Sequence, residues 1–108
     1  MARTPRFARR VFTEYERAYC DGKGAASAQS YAARFAAKEA FLKALQTGWR
    51  GKITWHEIEV VSSESGVPTL KIHGEARAIS ENLGATKIHL SISHTTEHAI
   101  AQVILERL

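Results

Sequence analysis

Residues 27–46 constrain the fold more than any other part of this sequence. Tyr31, Phe35, Leu42 and Leu45 recur at three- and four-residue steps, and alanine fills most of the gaps between them. That is the periodicity and the composition of an α-helix. Thr47-Gly48, with Gly51 shortly after, supplies the stop. This is the longest element the sequence predicts, and its centre reads Ala36-Ala37-Lys38-Glu39-Ala40.

Two shorter helices are expected before it. Thr4-Pro5 is a helix-opening pair, because Thr can cap and Pro suits the first helical position; the helix should run to Arg10 or Phe12. Thr13-Glu14-Tyr15-Glu16 has capping-box spacing, in which the Thr oxygen and the Glu carboxylate satisfy each other's free amides. That helix should reach about Cys20, where Asp21-Gly22-Lys23-Gly24 breaks it and a flexible connection follows.

The second half changes period. Residues 58–61 and 70–72 read as strands joined across Ser62-Ser63-Glu64-Ser65-Gly66. Residues 74–83 read as a helix that Gly84 is placed to stop. Residues 86–93 alternate, with Ile88, Leu90 and Ile92 on one face and His89, Ser91 and Ser93 on the other. Residues 99–105 are nearly all apolar, which predicts a strand buried on both faces. His94-Thr95-Thr96-Glu97 is too short for a crossover, so the last two strands should form an antiparallel hairpin. Helices first and strands later give an α+β fold. At 108 residues, 1–108 is expected to be one domain with a modest core.

Several function classes drop out. No apolar run approaches the ~18–20 residues needed to cross a bilayer, so no membrane span is expected. The start of the chain has charge but no apolar stretch of the secretory kind. The single Cys20 precludes an internal disulfide framework and fits a cytoplasmic setting. The five His residues share no zinc-type spacing. The common nucleotide-binding loops are absent. A net charge of +4 favours anionic partners: nucleic acid, an acidic protein or a phosphorylated small molecule. Arg3, Arg6, Arg9 and Arg10 crowd the first ten positions. Trp49, Trp55 and the other aromatics form no stripe with basic residues, so nucleic acid is not the expected partner.

Glu39 and Lys43, four residues apart, share one face of the long helix. They could be a surface ion pair worth ~0.2–0.5 kcal/mol. They could also be a metal-binding carboxylate beside a phosphate-binding ammonium, since Mg²⁺ takes one or two carboxylates plus substrate phosphate oxygens. Arg34 falls on a different face and either binds an anion or is solvated. Ser91-Ile92-Ser93-His94-Thr95 at a strand end either presents donors to a phosphate or satisfies its own turn.

The segment Arg34-Phe35-Ala36-Ala37-Lys38-Glu39-Ala40-Phe41-Leu42-Lys43-Ala44-Leu45, followed by Thr47-Gly48, resembles the signature of bacterial holo-acyl-carrier-protein synthases. The flanking segments resemble the family in the same order. Arg6-Phe7 and Arg10-Val11-Phe12-Thr13 come before; Trp55-His56-Glu57-Ile58-Glu59-Val60, Gly66-Val67-Pro68 and His89-Leu90-Ser91-Ile92-Ser93-His94-Thr95 come after. The resemblance implies an α+β fold and transfer of 4′-phosphopantetheine from coenzyme A to a serine of apo acyl carrier protein. It implies Glu39 as a Mg²⁺ ligand and candidate base, and Lys43 as the residue that steadies the phosphate and the leaving group. It places Arg34, Lys43, Gly48, His94 and Thr95 at the coenzyme A site and Arg6, Phe7 and Arg10 on the helix that docks the acidic carrier protein. It also implies a homotrimer with its sites between subunits. The family opens with a Gly-Ile-Gly-x-Asp strand whose Asp is a second Mg²⁺ ligand. This sequence lacks that strand, and its one aspartate is Asp21, expected in a Gly-flanked loop. The chain is therefore expected to be an N-terminally shortened form with weak Mg²⁺ affinity, or a relative that binds without turnover.

Overall fold

Thr13 and Glu16 show why the helical half folds as it does. The Thr13 hydroxyl accepts from the Glu16 amide at 3.2 Å, and the Glu16 carboxylate accepts from the Thr13 amide at 2.8 Å. The capping box read from the sequence is thus formed, and it opens α2 (Glu14–Asp21) directly behind α1 (Pro5–Val11). The computed structural model describes residues 5–45, 53–63, 65–94 and 98–107. The Thr4 cap and the Thr47-Gly48 stop lie outside the described residues.

Asp21 is the last residue of α2, not part of a loop. The expected flexible connection is instead a 3₁₀ turn, Gly24–Ala26, that runs straight into the long helix α3 (Ser27–Leu45). Gly22 closes α2 through its amide to Ala18 and Cys20, so one turn suffices to reverse the chain.

Beyond α3, a 3₁₀ turn at Trp55–Glu57 leads into β1 (Ile58–Ser62), which pairs antiparallel with β2 (Pro68–Ile72) in the register Ile58↔Ile72 and Val60↔Leu70. Helix α4 (Gly74–Asn82) follows, then β3 (Lys87–His94) and β4 (Ala99–Glu106) as an antiparallel hairpin running from Lys87↔Glu106 to His94↔Ala99. Gly74 is required where it stands. Its φ is +58°, and a Cβ there would lie 2.9 Å from the Glu57 carboxylate, which accepts from the Ala76 amide and so caps α4.

The core lies where α3 crosses the strands. Phe41, Leu42 and Leu45 meet Ile53, Ile58 and Ala76, with Leu70, Ile72, Ile79, Ile88, Val103 and Leu105 packed around them. Each such side chain, fully buried, contributes about 1.5–3 kcal/mol from burial alone. Val11, Phe12, Cys20 and Val60 are buried as well, outside that cluster.

One sequence expectation fails here. β4 is not buried on both faces: its burial alternates, and Ile100 and Ile104 are 69% and 53% exposed. Within one chain a single layer, α3, covers the hairpin. Among the described residues nothing is laid against the outer face of β4, on which Ile100 and Ile104 alternate with Gln102 and Glu106.

Candidate active site

Helix α3 carries the sequence's chief candidates, and it displays them on different faces. Its buried stripe is Ser30, Ala33, Arg34, Ala37, Lys38, Phe41, Leu42 and Leu45. Glu39 lies about 140° round the axis from Arg34, and Lys43 about 180°, at about 100° per residue. Both Glu39 and Lys43 are exposed, and among the described residues no ion pair joins them. The plain surface-pair reading is therefore not realised, and both charges stand open to a ligand.

Arg34 is not solvated, as one sequence reading allowed; it is only 5% exposed. Its guanidinium donates to Ser30 Oγ at 3.1 Å and to Ser62 Oγ at 3.2 Å, and stacks 4.0 Å above the centroid of the Tyr19 ring. Its Nε is buried with no hydrogen-bond partner among the described residues. A buried donor of this kind is costly until an acceptor completes it. Arg34 lines a groove of about 360 Å³ whose rim also carries Tyr19, Lys23, Ser62, Gly66 and Pro68. The Ser62 hydrogen bond, and next the Lys23 ammonium, hold the Tyr19 phenol below its ordinary pKa. The groove thus favours negative charge.

Sequence reasoning missed Tyr19, Lys23 and Ser62. They come from two other elements and the turn after α2, and no local pattern links them to Arg34. Gly66 was in a segment already singled out, and Ile92 of β3 also lines the groove, two positions before His94. The strand bearing His94 therefore runs to this site, although only its backbone is described. Gly48 and Thr95 lie outside the described residues.

On α1, Arg6 and Arg10 are exposed one turn apart and Phe7 is half-buried. The Phe7 ring sits 6.1 Å from Phe35, and Phe35 sits 5.2 Å from Trp55. This aromatic row ties the basic helix to the face of α3 beside the candidate charges. Cys20 is fully buried, its Sγ accepts from Ser30 Oγ at 3.3 Å, and burial pushes its thiol pKa up, all of which suit an inert thiol.

Among the described residues no three His, Cys, Asp or Glu side chains gather into a metal cage. Asp21 does not approach Glu39: it accepts from the Tyr31 hydroxyl at 2.7 Å, two helical turns away along α3. A lone exposed carboxylate still fits a Mg²⁺ ion that keeps several waters and takes its remaining ligands from substrate phosphates.

Residues 1–103 match the 4′-phosphopantetheinyl transferase superfamily. The holo-[acyl-carrier-protein] synthase of Koribacter versatilis is 48% identical over 101 residues, covering 94% of this chain and 80% of the relative. The crystal structure of holo-[acyl-carrier-protein] synthase from Neisseria meningitidis superposes with a TM-score of 0.82 at 33% identity, over 95% of this chain and 82% of that one. The Bacillus anthracis holo-(acyl-carrier-protein) synthase in complex with CoA (3′,5′-ADP) gives 0.78 at 38% identity, with 95% and 82% coverage. Among the described residues no helix is long and apolar enough to cross a membrane.

Proposed function

The chain belongs to the 4′-phosphopantetheinyl transferase superfamily, and within it to the holo-acyl-carrier-protein synthases, and from that membership we propose the reaction that its residues carry out. A serine hydroxyl of an apo acyl carrier protein attacks the coenzyme A phosphorus that bears the pantetheine arm. The new Ser–O–P bond forms, the pyrophosphate P–O bond breaks, and 3′,5′-ADP leaves. Glu39 accepts the serine proton, directly or through a water it orients, and Lys43 offsets the charge that develops on the leaving phosphate. Glu39 would hold a Mg²⁺ ion, which would supply further charge neutralisation. Arg34, with Lys23 and Tyr19 beside it, is the anion site for coenzyme A, to which Gly48, His94 and Thr95 contribute.

The observation that carries this reading is the division of labour on α3. A buried guanidinium with an unused donor lies on one face, and an unpaired carboxylate and ammonium lie on the opposite side. One chain does not bring the two halves together, which supports a site assembled between copies. The bare outer face of β4, with Ile100 and Ile104, supports the same homotrimer. The exposed Arg6 and Arg10 beside Phe7 form the docking face for the acidic carrier protein, which suits a cytoplasmic enzyme of lipid or polyketide synthesis.

The test is incubation with coenzyme A, Mg²⁺ and apo carrier protein, read by mass spectrometry. The expected result is a gain of one phosphopantetheinyl group on the carrier and release of 3′,5′-ADP. A second reading is a relative that binds coenzyme A or carrier without turnover. The observation in its favour is that, among the described residues, no metal cage of three His, Cys, Asp or Glu side chains forms and Asp21 is turned to the Tyr31 hydroxyl. Binding without any mass gain would establish it instead.

A further inference from the structure

Helix α3 has an unusual difficulty: in its first turns, apolarity alone does not say which face should be buried. Ala28, Ala32, Ala36, Ala40 and Ala44 run at four-residue steps that drift about 160° round the axis, and none of them is buried. The stripe that is buried contains Ser30, Arg34 and Lys38, also at four-residue steps. Transfer free energy would favour the alanines. Tyr31 and Phe35 set their rings against Phe12, Phe7 and Trp55 while staying part-exposed, and only near the C-terminus are large apolar residues, Phe41, Leu42 and Leu45, buried on this stripe.

Beside these apolar contacts, the turn that carries Glu39 has a polar anchor. The Lys38 ammonium is wholly buried and donates to three acceptors: Glu16 Oε1 at 2.8 Å, the Ile58 carbonyl at 2.6 Å and the Trp55 carbonyl at 3.0 Å. Glu16 is completed in turn by the amides of Thr13 and Val60, each at 2.8 Å. Three N–H groups meet three acceptors on three different segments, so the ammonium has one position only. Rotation or sliding of α3 would break all three bonds in a site that water does not reach.

We infer that Lys38 and Glu16 are positioning residues for the transfer reaction: they fix the rotation of α3 that presents Glu39, the next residue, to the substrate. This rests on the reading of Glu39 given above. A misplacement of about 1 Å at a reacting group costs up to ~100-fold in rate. The pair touches neither the Arg34 groove nor its Ser30 and Ser62 anchors, so coenzyme A binding should be spared.

The experiment compares wild type with the double variant Glu16→Gln/Lys38→Met, which removes both charges while keeping the volume filled. A control, Ile79→Ala, weakens the same core from the α4 side without removing any of the three Lys38 bonds. The expected result is a folded double variant whose kcat falls at least ~10-fold while KM for coenzyme A changes less than ~3-fold, with the control keeping its kcat. Wild-type kcat in the folded double variant overturns the inference, and so does an equal loss in Ile79→Ala. If the double variant does not fold, Glu16→Gln/Lys38→Gln, which also removes both charges but keeps a side-chain donor, takes its place with the same readouts; failure of both to fold assigns the pair to stability only and also overturns the inference. No transfer by wild type at any enzyme concentration sinks the functional reading itself, and this inference with it.

Discussion

Lys38 Nζ lies 2.8 Å from Glu16 Oε1, and neither side chain has any solvent exposure. Burial pulls the lysine pKa below its ordinary value, and the Glu16 charge opposes that pull. Such a pair is held together by its own desolvation: each partner is tolerable only while the other remains. Lys38→Ala or Glu16→Ala alone should therefore destabilise the fold by about 3–5 kcal/mol, measured by denaturant unfolding. A loss under ~1 kcal/mol from either, as a surface pair would give, would contradict this picture.

Arg34→Lys should leave the fold intact and weaken coenzyme A binding by about 10–100-fold, the worth of one or two charge-assisted bonds. Lysine keeps the charge but can neither stack on Tyr19 nor reach Ser30 and Ser62 together while offering a further donor. Titration calorimetry with coenzyme A reads this directly, and unchanged affinity would remove Arg34 from the site.

Glu39→Gln tests the proton acceptor. Glutamine matches the shape but not the basicity, and the position is exposed, so stability should not move. Transfer should fall by about 10²–10⁴-fold at saturating coenzyme A. An active Gln variant would hand the proton to another group.

Tyr31 gives a pH signature. Burial first, and then its hydrogen bond to the Asp21 carboxylate, raises the phenol's pKa above the ordinary ~10. Above that pH the unfolded chain loses this proton while the folded chain keeps it. The Tyr31 contribution is therefore fully present below about pH 10 and is lost as pH climbs through the folded value. Between neutral pH and pH 11, Tyr31→Phe should lose less stability than wild type, as followed by urea midpoints. Parallel slopes would show that Tyr31 does not titrate differently on folding.

Ile104→Lys, alone or with Ile100→Lys, tests the outer face of β4. Both side chains are mostly exposed in one chain, so a monomer would barely notice the change. If a second copy covers them, light scattering should show the assembly falling apart into monomers, and transfer should fall with it. A wild-type mass with full activity would show that the trimer, if formed, uses another face.

Much of this architecture was legible in the sequence because it is encoded locally. The capping box at Thr13 and Glu16, the period of α3 and the alternation of Ile88, Leu90 and Ile92 each depend on neighbours a few positions apart. The site was legible only along α3. Lys38 looked like one letter of a motif, because its partners Glu16, Trp55 and Ile58 are brought in from both sides of the sequence by tertiary packing. Tyr19, Lys23 and Ser62 were invisible for the same reason. The burial of β4 was misjudged on another ground: an apolar strand announces that something must cover it, but not that the cover lies in the same chain.

The packing of α3 against β4 also has a consequence for biosynthesis. The helix leaves the ribosome well before residues 99–106, yet β3, β4 and the Val103 and Leu105 side chains are what close over Phe41, Leu42 and Leu45. Until the last hairpin emerges, that apolar row is covered only by residues 53–79 and stays open on the side that Ile88, Val103 and Leu105 will close. The nascent chain therefore cannot complete its core domain-half by domain-half and must wait, exposed to chaperones and to its neighbours, for its final strand.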